Sequence, residues 1–259
     1  DIDEFRIAED GRTEKISRLV QAGESPLQLV LLFDLSGSIH SDFEFERTAA
    51  SRFVEKVWNP GDLISLISVS SRPSVQLTAA SSPEEVLKVL SELEPAETAT
   101  AFFDAVVAAA ELQNRATAPN TRQAAVIFSD GEDNRSDCVF SDALSSVRHS
   151  NMVVYAINPS GASIRLNEIS RMGQKWLSAL AGKTGGNAFV SKKVSDLEGI
   201  YDRIAFELRA QYLLSYYSSN SHTDGSFRSI SVSLPGRPDL RVRARQGYYA
   251  LEIASDMRD

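Results

Sequence analysis

A single cysteine, Cys138, stands in 259 residues. That excludes an internal disulfide framework and any thiolate metal cluster, and a lone cysteine is read as a small buried apolar side chain rather than a nucleophile. The three histidines, His40, His149 and His222, are scattered and form no His-x-x-x-His pattern. No apolar run approaches the roughly 20 residues of a membrane-spanning helix, so direct membrane insertion is not expected. Basic residues are outnumbered, 27 against 35, for a formal charge of −8, which disfavours nucleic-acid backbones as partners. The Gly-x-Ser-x-Gly nucleophile elbow is missing, as are internal repeats and low-complexity tracts. The chain starts at Asp1 without a methionine, as expected of a processed or excised polypeptide.

What is present alternates between strand and helix. Leu29-Val30-Leu31-Leu32-Phe33 is a continuous apolar block, the mark of a strand buried on both faces. Helical spacing of Phe45, Ala49, Phe53 and Val57 follows and stops at Asn59-Pro60-Gly61. Strands are expected over 62–69, 74–77, 124–129, 152–157 and 188–190. Helices are expected over 82–93, 101–115, 140–149, 166–181 and 195–208, the first opened by Ser82 as cap and Pro83 at its first position. Repeated β-then-α units give an α/β fold, a doubly wound, mainly parallel sheet flanked by helices. The ends differ. Asp10-Gly11 is a two-residue hairpin turn. Residues 230–234 and 240–245 alternate strictly about Pro235-Gly236-Arg237-Pro238-Asp239, which reads as a second hairpin. With 211–217 these form a small antiparallel region, its terminal segments packed together beside or extending the main sheet. The expected division is 1–26 as an N-terminal hairpin segment, 27–210 as the α/β domain and 211–259 as a β-strand extension.

The first apolar block runs into Asp34-Leu35-Ser36-Gly37-Ser38. Open α/β sheets place ligands at the carboxyl ends of their strands, and alternate residues in extended backbone point the same way. Asp34, Ser36 and Ser38 therefore offer three oxygens to one side of a site. A second strand end, Phe128-Ser129-Asp130-Gly131-Glu132, supplies a second acid, and the loop from Glu97 to Asp104 supplies hydroxyls. Hard cations such as Mg²⁺ take oxygen ligands and keep waters. Two carboxylates balance the charge of a divalent ion, while neutral hydroxyls leave it electrophilic towards an outside anionic oxygen.

Asp34-Leu35-Ser36-Gly37-Ser38 resembles the Asp-x-Ser-x-Ser signature of von Willebrand factor type A domains. The resemblance covers about 27–209. In that family the signature forms a metal-ion-dependent adhesion site, completed by a threonine and an aspartate from two further loops. Thr100, in Thr100-Ala101-Phe102-Phe103-Asp104, matches the threonine, with Thr98 left to cap or brace the loop, and Asp130 matches the aspartate. The implied metal set is Asp34, Ser36, Ser38, Thr100 and Asp130, with Mg²⁺ as the cofactor and Mn²⁺ or Ca²⁺ as substitutes. Glu9-Asp10-Gly11, the run Gln211 to Tyr217 and the run Arg243 to Tyr249 are similar to segments of von Willebrand factor A-related proteins of Acidobacteria.

The remaining signals are read structurally. Glu132, Asp133 and Asp137 make a solvated acidic loop, and Asp104 sits where an acid suits the first turn of a helix. Gly182-Lys183-Thr184-Gly185-Gly186 imitates the end of a P-loop but lacks its upstream glycine, Leu177 standing there, so it is a helix C-cap and turn. A haloacid dehalogenase-type phosphatase would carry an acid where Ser36 stands. The resemblance thus implies a Mg²⁺-dependent adhesion or interaction module, not an enzyme, that takes an Asp or Glu of a protein partner. It also implies an extracytoplasmic, secreted or periplasmic, bacterial setting, and no particular oligomeric state. The rival reading is a structural assembly domain whose metal only braces loops.

Overall fold

The structure is a computed structural model that describes residues 1–21, 25–36, 43–96, 99–115, 121–159, 168–191 and 194–250. Three short strands lead in: β1 (Arg6–Glu9), β2 (Arg12–Glu14) and β3 (Ile16–Gln21). The alternation then runs β4 (Leu27–Asp34), α1 (Phe43–Val57), β5 (Leu63–Val69), β6 (Ser74–Ala80), α2 (Pro83–Glu92), α3 (Phe102–Arg115) and β7 (Arg122–Phe128). It continues through α4 (Phe140–His149), β8 (Val153–Asn158), α5 (Glu168–Thr184), β9 (Ala188–Val190) and α6 (Leu197–Ala210). Three strands close the chain: β10 (Tyr212–Tyr216), β11 (Phe227–Ser233) and β12 (Gly247–Tyr249).

The main sheet has the order β6-β5-β4-β7-β8-β9. Its pairings are parallel except for the edge pair β5–β6. All eight residues of β4 are buried, as an apolar block sandwiched between helices requires. Leu29, Leu31 and Phe33 pack under α1, α2 and α6, while Val30 and Leu32 pack under α3, α4 and α5. Ser82 takes the cap position of α2 with Pro83 at the helix start, but its side chain makes no capping hydrogen bond. The segment 182–186 ends α5 as the sequence predicts, with Gly185 at φ +92°.

At the pole opposite the ends of the parallel strands, a buried acid and a half-buried arginine hold the frame. Asp62 accepts hydrogen bonds from the amides of Leu27 (2.7 Å) and Asn59 (2.9 Å). Arg122 donates to the carbonyls of Ser25 (3.0 Å) and Leu208 (2.7 Å). One guanidinium thereby ties the entry to β4 to the last turn of α6.

The two chain ends interleave. A four-stranded sheet runs β12-β11-β1-β2, and a two-stranded sheet pairs β10 with β3. Both sheets lie beside the main sheet without extending it. The Asp10-Gly11 turn forms as predicted, with φ of 47° and 79°, the left-handed pair that a tight hairpin between twisted strands needs. The second hairpin does not form as expected. β11 pairs with β1 and with β12, whereas residues 240–245 adopt no strand. These residues instead bridge to the main domain: Arg243 pairs with Glu207 at 2.6 Å and Arg245 donates to the Asn151 side chain. The Gln246 amide donates to the carbonyl of Lys183. Their alternation serves contacts on two sides rather than a ladder.

A buried polar network joins the ends. Glu9, 2% exposed, accepts from the hydroxyls of Tyr216 (2.6 Å), Ser218 (2.6 Å) and Tyr248 (2.9 Å) and pairs with buried Arg228 at 3.3 Å. Burial alone would raise its pKa, but those hydroxyls and the guanidinium together hold it below the ordinary glutamate value.

Candidate functional site

From β4 the chain steps to β5 on one side and, after α3, to β7 on the other. The crevice between the ends of β4 and β7 is therefore the topological switch point, where open α/β sheets accept ligands. Asp34 ends β4, and Ser129 and Asp130 directly follow β7.

Asp34 is wholly buried. Its Oδ1 accepts the Ser36 amide at 2.9 Å and its Oδ2 accepts the Ser129 hydroxyl at 2.6 Å. Burial nonetheless pushes its carboxyl up to about 6; the hydrogen bonds from Ser129 and Ser36 oppose the rise, and the charge of Asp130 adds to it. Asp130 is 5% exposed and accepts the Glu132 amide at 2.9 Å. Two acids thus share one buried strand-end crevice, each oriented by a backbone amide two residues on.

Thr100 arrives on a third loop. The Ala96 amide donates to the Leu35 carbonyl at 2.7 Å and the Ala101 amide to the Ser70 carbonyl at 2.7 Å, which draws this loop across the ends of β4 and β5. Thr100 and Asn134 clasp each other: the Thr100 amide donates to the Asn134 side chain (2.8 Å), and the Asn134 amide donates to the Thr100 carbonyl (3.1 Å). The loop after β7 also closes the start of α3. Asp133 accepts the amides of Phe102 (2.8 Å) and Phe103 (3.3 Å), capping from a distance the donors that a helix start leaves open. In return Asp104 accepts the amides of Asp137 and Cys138, each at 3.1 Å. Burial opposes ionisation of Asp104, yet these bonds and the Cys138 side chain hold its pKa below the usual value. Burial and Asp104 push the Cys138 thiol up to about 12, so it stays a thiol at neutral pH.

Of the five sequence-predicted metal residues, the structure brings Asp34, Ser36, Thr100 and Asp130 to this one pole, all buried. Ser38 lies outside the described residues, as do His40 and Thr98. Among the described residues, no group of three or more His, Cys, Asp or Glu is arranged to hold a metal, and the donors at this pole are two acids plus hydroxyls.

Sequence reading overlooked Ser129, Asn134 and Gly173. Ser129 carried a signal, a hydroxyl at a strand end beside the acid. Gly173 carried none. It lies in α5, where a Cβ would sit 2.6 Å from the Asp130 carbonyl oxygen and 2.8 Å from the Gly131 carbonyl carbon. Gly131, at φ +77°, is equally crowded from the other side, 2.6 Å from the Gly173 carbonyl oxygen. Two glycines thereby let α5 rest backbone to backbone on the Asp130 loop, and the Ser170 hydroxyl fastens Glu132 at 2.6 Å.

A comparison with curated proteins yields no match. Among solved structures, proximal thread matrix protein 1 from the mussel byssus, with a zinc-occupied MIDAS motif, is similar with a TM-score of 0.58 at 15% identity, over 77% of this chain and 49% of that one. A von Willebrand factor type A protein from Catenulispora acidiphila gives 0.57 at 14%, over 79% and 50%. An aerotolerance-related membrane protein from Bacteroides fragilis gives 0.56 at 18%, over 71% and 100%. The chain spans about half the length of the first two, and at these identities the likeness is one of fold. The family model for the von Willebrand factor type A domain matches residues 28–203, from the second residue of β4 into α6 and through every loop of the crevice. The chain belongs to the von Willebrand factor type A domain family.

Proposed function

We propose that this chain is a Mg²⁺-dependent protein-binding module that takes a carboxylate of its partner. The pair Asp34 and Asp130 carries the reading. Burial, with the charge of Asp130 adding to it, raises the Asp34 pKa, and a divalent cation bound at this crevice would relieve both the desolvation and the repulsion. The donor set fits such an ion. Asp34 and Asp130 would hold it directly or through water, with the hydroxyls of Ser36, Ser38 and Thr100 completing an oxygen shell. The bound ion supplies an electrophilic centre for an anionic oxygen. The chain's own part is to orient the donors: Ser129 and the Ser36 amide fix Asp34, Glu132 and Gly173 fix the Asp130 loop, and Asn134 fixes Thr100.

Domains of this family are generally interaction modules, and the zinc-occupied motif of the mussel protein lends support to a metal here, with Mn²⁺, Ca²⁺ or Zn²⁺ as competitors. In the same reading, 27–210 is the binding domain and the segments 1–26 and 211–259 form one accessory unit. The tail motifs favour kinship with the Acidobacterial proteins. Placement outside the cytoplasm accords with the membrane-protein description of the Bacteroides relative, and fractionation of the source cells tests it. Among the described residues no helix is long and apolar enough to cross a membrane.

The test is capture of partners from source-cell extract on the immobilised full chain, in Mg²⁺, in EDTA and with Asp34→Ala. A partner retained by the wild type in Mg²⁺ alone supports the reading. Equal capture in EDTA contradicts it and leaves the assembly reading, in which the terminal sheets make the contact.

A further inference from the structure

Three large apolar side chains stand exposed at or just before the starts of three helices. In α1, Phe45 precedes Ala49 and Phe53 by four and eight residues, and those two are 3% and 0% exposed. Val139 is the cap residue directly before α4, in extended backbone. In α5, Ile169 precedes Gly173 and Leu177, both buried. Residues four apart lie one above the other on a helix, so Phe45 and Ile169 each top a core-facing stripe, while Val139 stands just ahead of its helix. Yet Phe45 is 36%, Val139 58% and Ile169 56% exposed.

The cause is topological. α1, α4 and α5 follow the parallel strands β4, β7 and β8, so all three start at the pole that holds Asp34 and Asp130. Helical side chains lean towards the helix N-terminus, which aims Phe45 and Ile169 beyond the sheet and over that pole, and Val139 lies at the same end of α4. Two are tied to the crevice itself. Phe43, in the same turn as Phe45, packs edge-on against Phe33, the residue before Asp34, at 5.7 Å. Ser170, next to Ile169, bonds Glu132. α1 lies on one face of the sheet and α4 and α5 on the other, so the apolar side chains straddle the acids.

We infer that Phe45, Ile169 and Val139 form an apolar crown around the metal crevice, and that the partner presents an acidic residue flanked on both sides by large apolar side chains. This rests on the metal-dependent reading above. A charged cup alone would take any exposed acid, whereas a crown adds burial energy only for a segment with apolar neighbours. Helix layers on opposite faces of a sheet stand roughly 20 Å apart, and extended chain rises about 3.3 Å per residue. The apolar positions therefore fall about two to four residues either side of the acid.

A displayed peptide library with a fixed central Asp or Glu and four randomised residues on each side, selected on the immobilised full chain in Mg²⁺, tests this. Leu, Ile, Phe, Met and Trp should be enriched at those flanking positions. The selected pool should bind Phe45→Gln/Ile169→Gln about tenfold or more weakly. Ile169→Gln alone, at a position more than half exposed, should weaken it less while keeping wild-type Mg²⁺ affinity. Enrichment of the acid without flanking preference, or equal binding by the double variant, overturns the crown and leaves the metal reading standing. A pool that survives EDTA, enrichment from a central-Asn control library as strong as from the acid library, or no enrichment at all, overturns the metal reading and the crown with it.

Discussion

Gly173→Ala isolates the contact that seats the Asp130 loop. The added Cβ would lie 2.6 Å from the Asp130 carbonyl oxygen, 2.8 Å from Gly131 and 3.0 Å from the Glu132 amide nitrogen. All three neighbours are backbone, so no side chain can swing aside, and either α5 or residues 130–132 must shift. Overpacking of this kind costs about 1–3 kcal/mol, which for a chain of this size lowers Tm by roughly 3–10 °C. The same displacement moves a metal donor, and loss of such positioning weakens metal binding about 10- to 100-fold. Gly182→Ala is the internal control. It lies in the same helix with nothing within 4 Å of its added Cβ, and should be neutral or stabilising by about 0.5–1 kcal/mol. Thermal unfolding in EDTA and calorimetric titration with Mg²⁺ read both effects. If Gly173→Ala unfolds with Gly182→Ala and binds Mg²⁺ like the wild type, the backbone seat has no role in the site.

The pKa of Asp34, raised to about 6 by burial and Asp130, means that Mg²⁺ must displace a proton in acid. Affinity should fall about tenfold between pH 7 and pH 5, and the fall should vanish in Asp34→Asn, whose binding is weak throughout. Glu9 has its pKa held below the ordinary value, so its stabilising contribution is full above the unfolded pKa near 4.5 and is lost as pH falls through the lower folded value. Glu9→Gln should cost about 2–4 kcal/mol at pH 7 by leaving Arg228 buried without its charge partner, with the gap to wild type closing in acid. Arg122→Met should loosen the last turn of α6, seen as faster amide hydrogen exchange over residues 204–210, because the Leu208 carbonyl loses its donor.

The parts of the fold legible in the sequence were those whose cause is local. β4 and β7 announced themselves as apolar blocks ending in acids, and the boundaries of α4 follow from its own periodicity. The turn at Asp10-Gly11 was legible because only a few residue pairs accept two positive φ angles. The segment 240–245 misled because alternation records two contrasting environments and not a hydrogen-bonded neighbour. The strand that pairs there, β12, is three residues long and begins with Gly247, where a Cβ would meet the Arg228 carbonyl and the Phe227 ring. Of the site, the two acids and their hydroxyl neighbours were legible as strand-end chemistry, and the choice of Thr100 came from family resemblance. Gly173 was not legible, because a helical glycine crowded by a loop some forty residues earlier leaves no trace in spacing. The Glu9 network was equally hidden, since its members come from opposite ends of the chain.

The most direct test is a crystal of the full chain grown with Mn²⁺, read by anomalous scattering. The account requires one strong peak at the ends of β4 and β7, with oxygens of Ser36 and Ser38 at about 2.0–2.2 Å and Asp34, Thr100 and Asp130 bonded directly or through one water. An empty crevice in saturating Mn²⁺, or a peak held by other acids elsewhere on the surface, would contradict it.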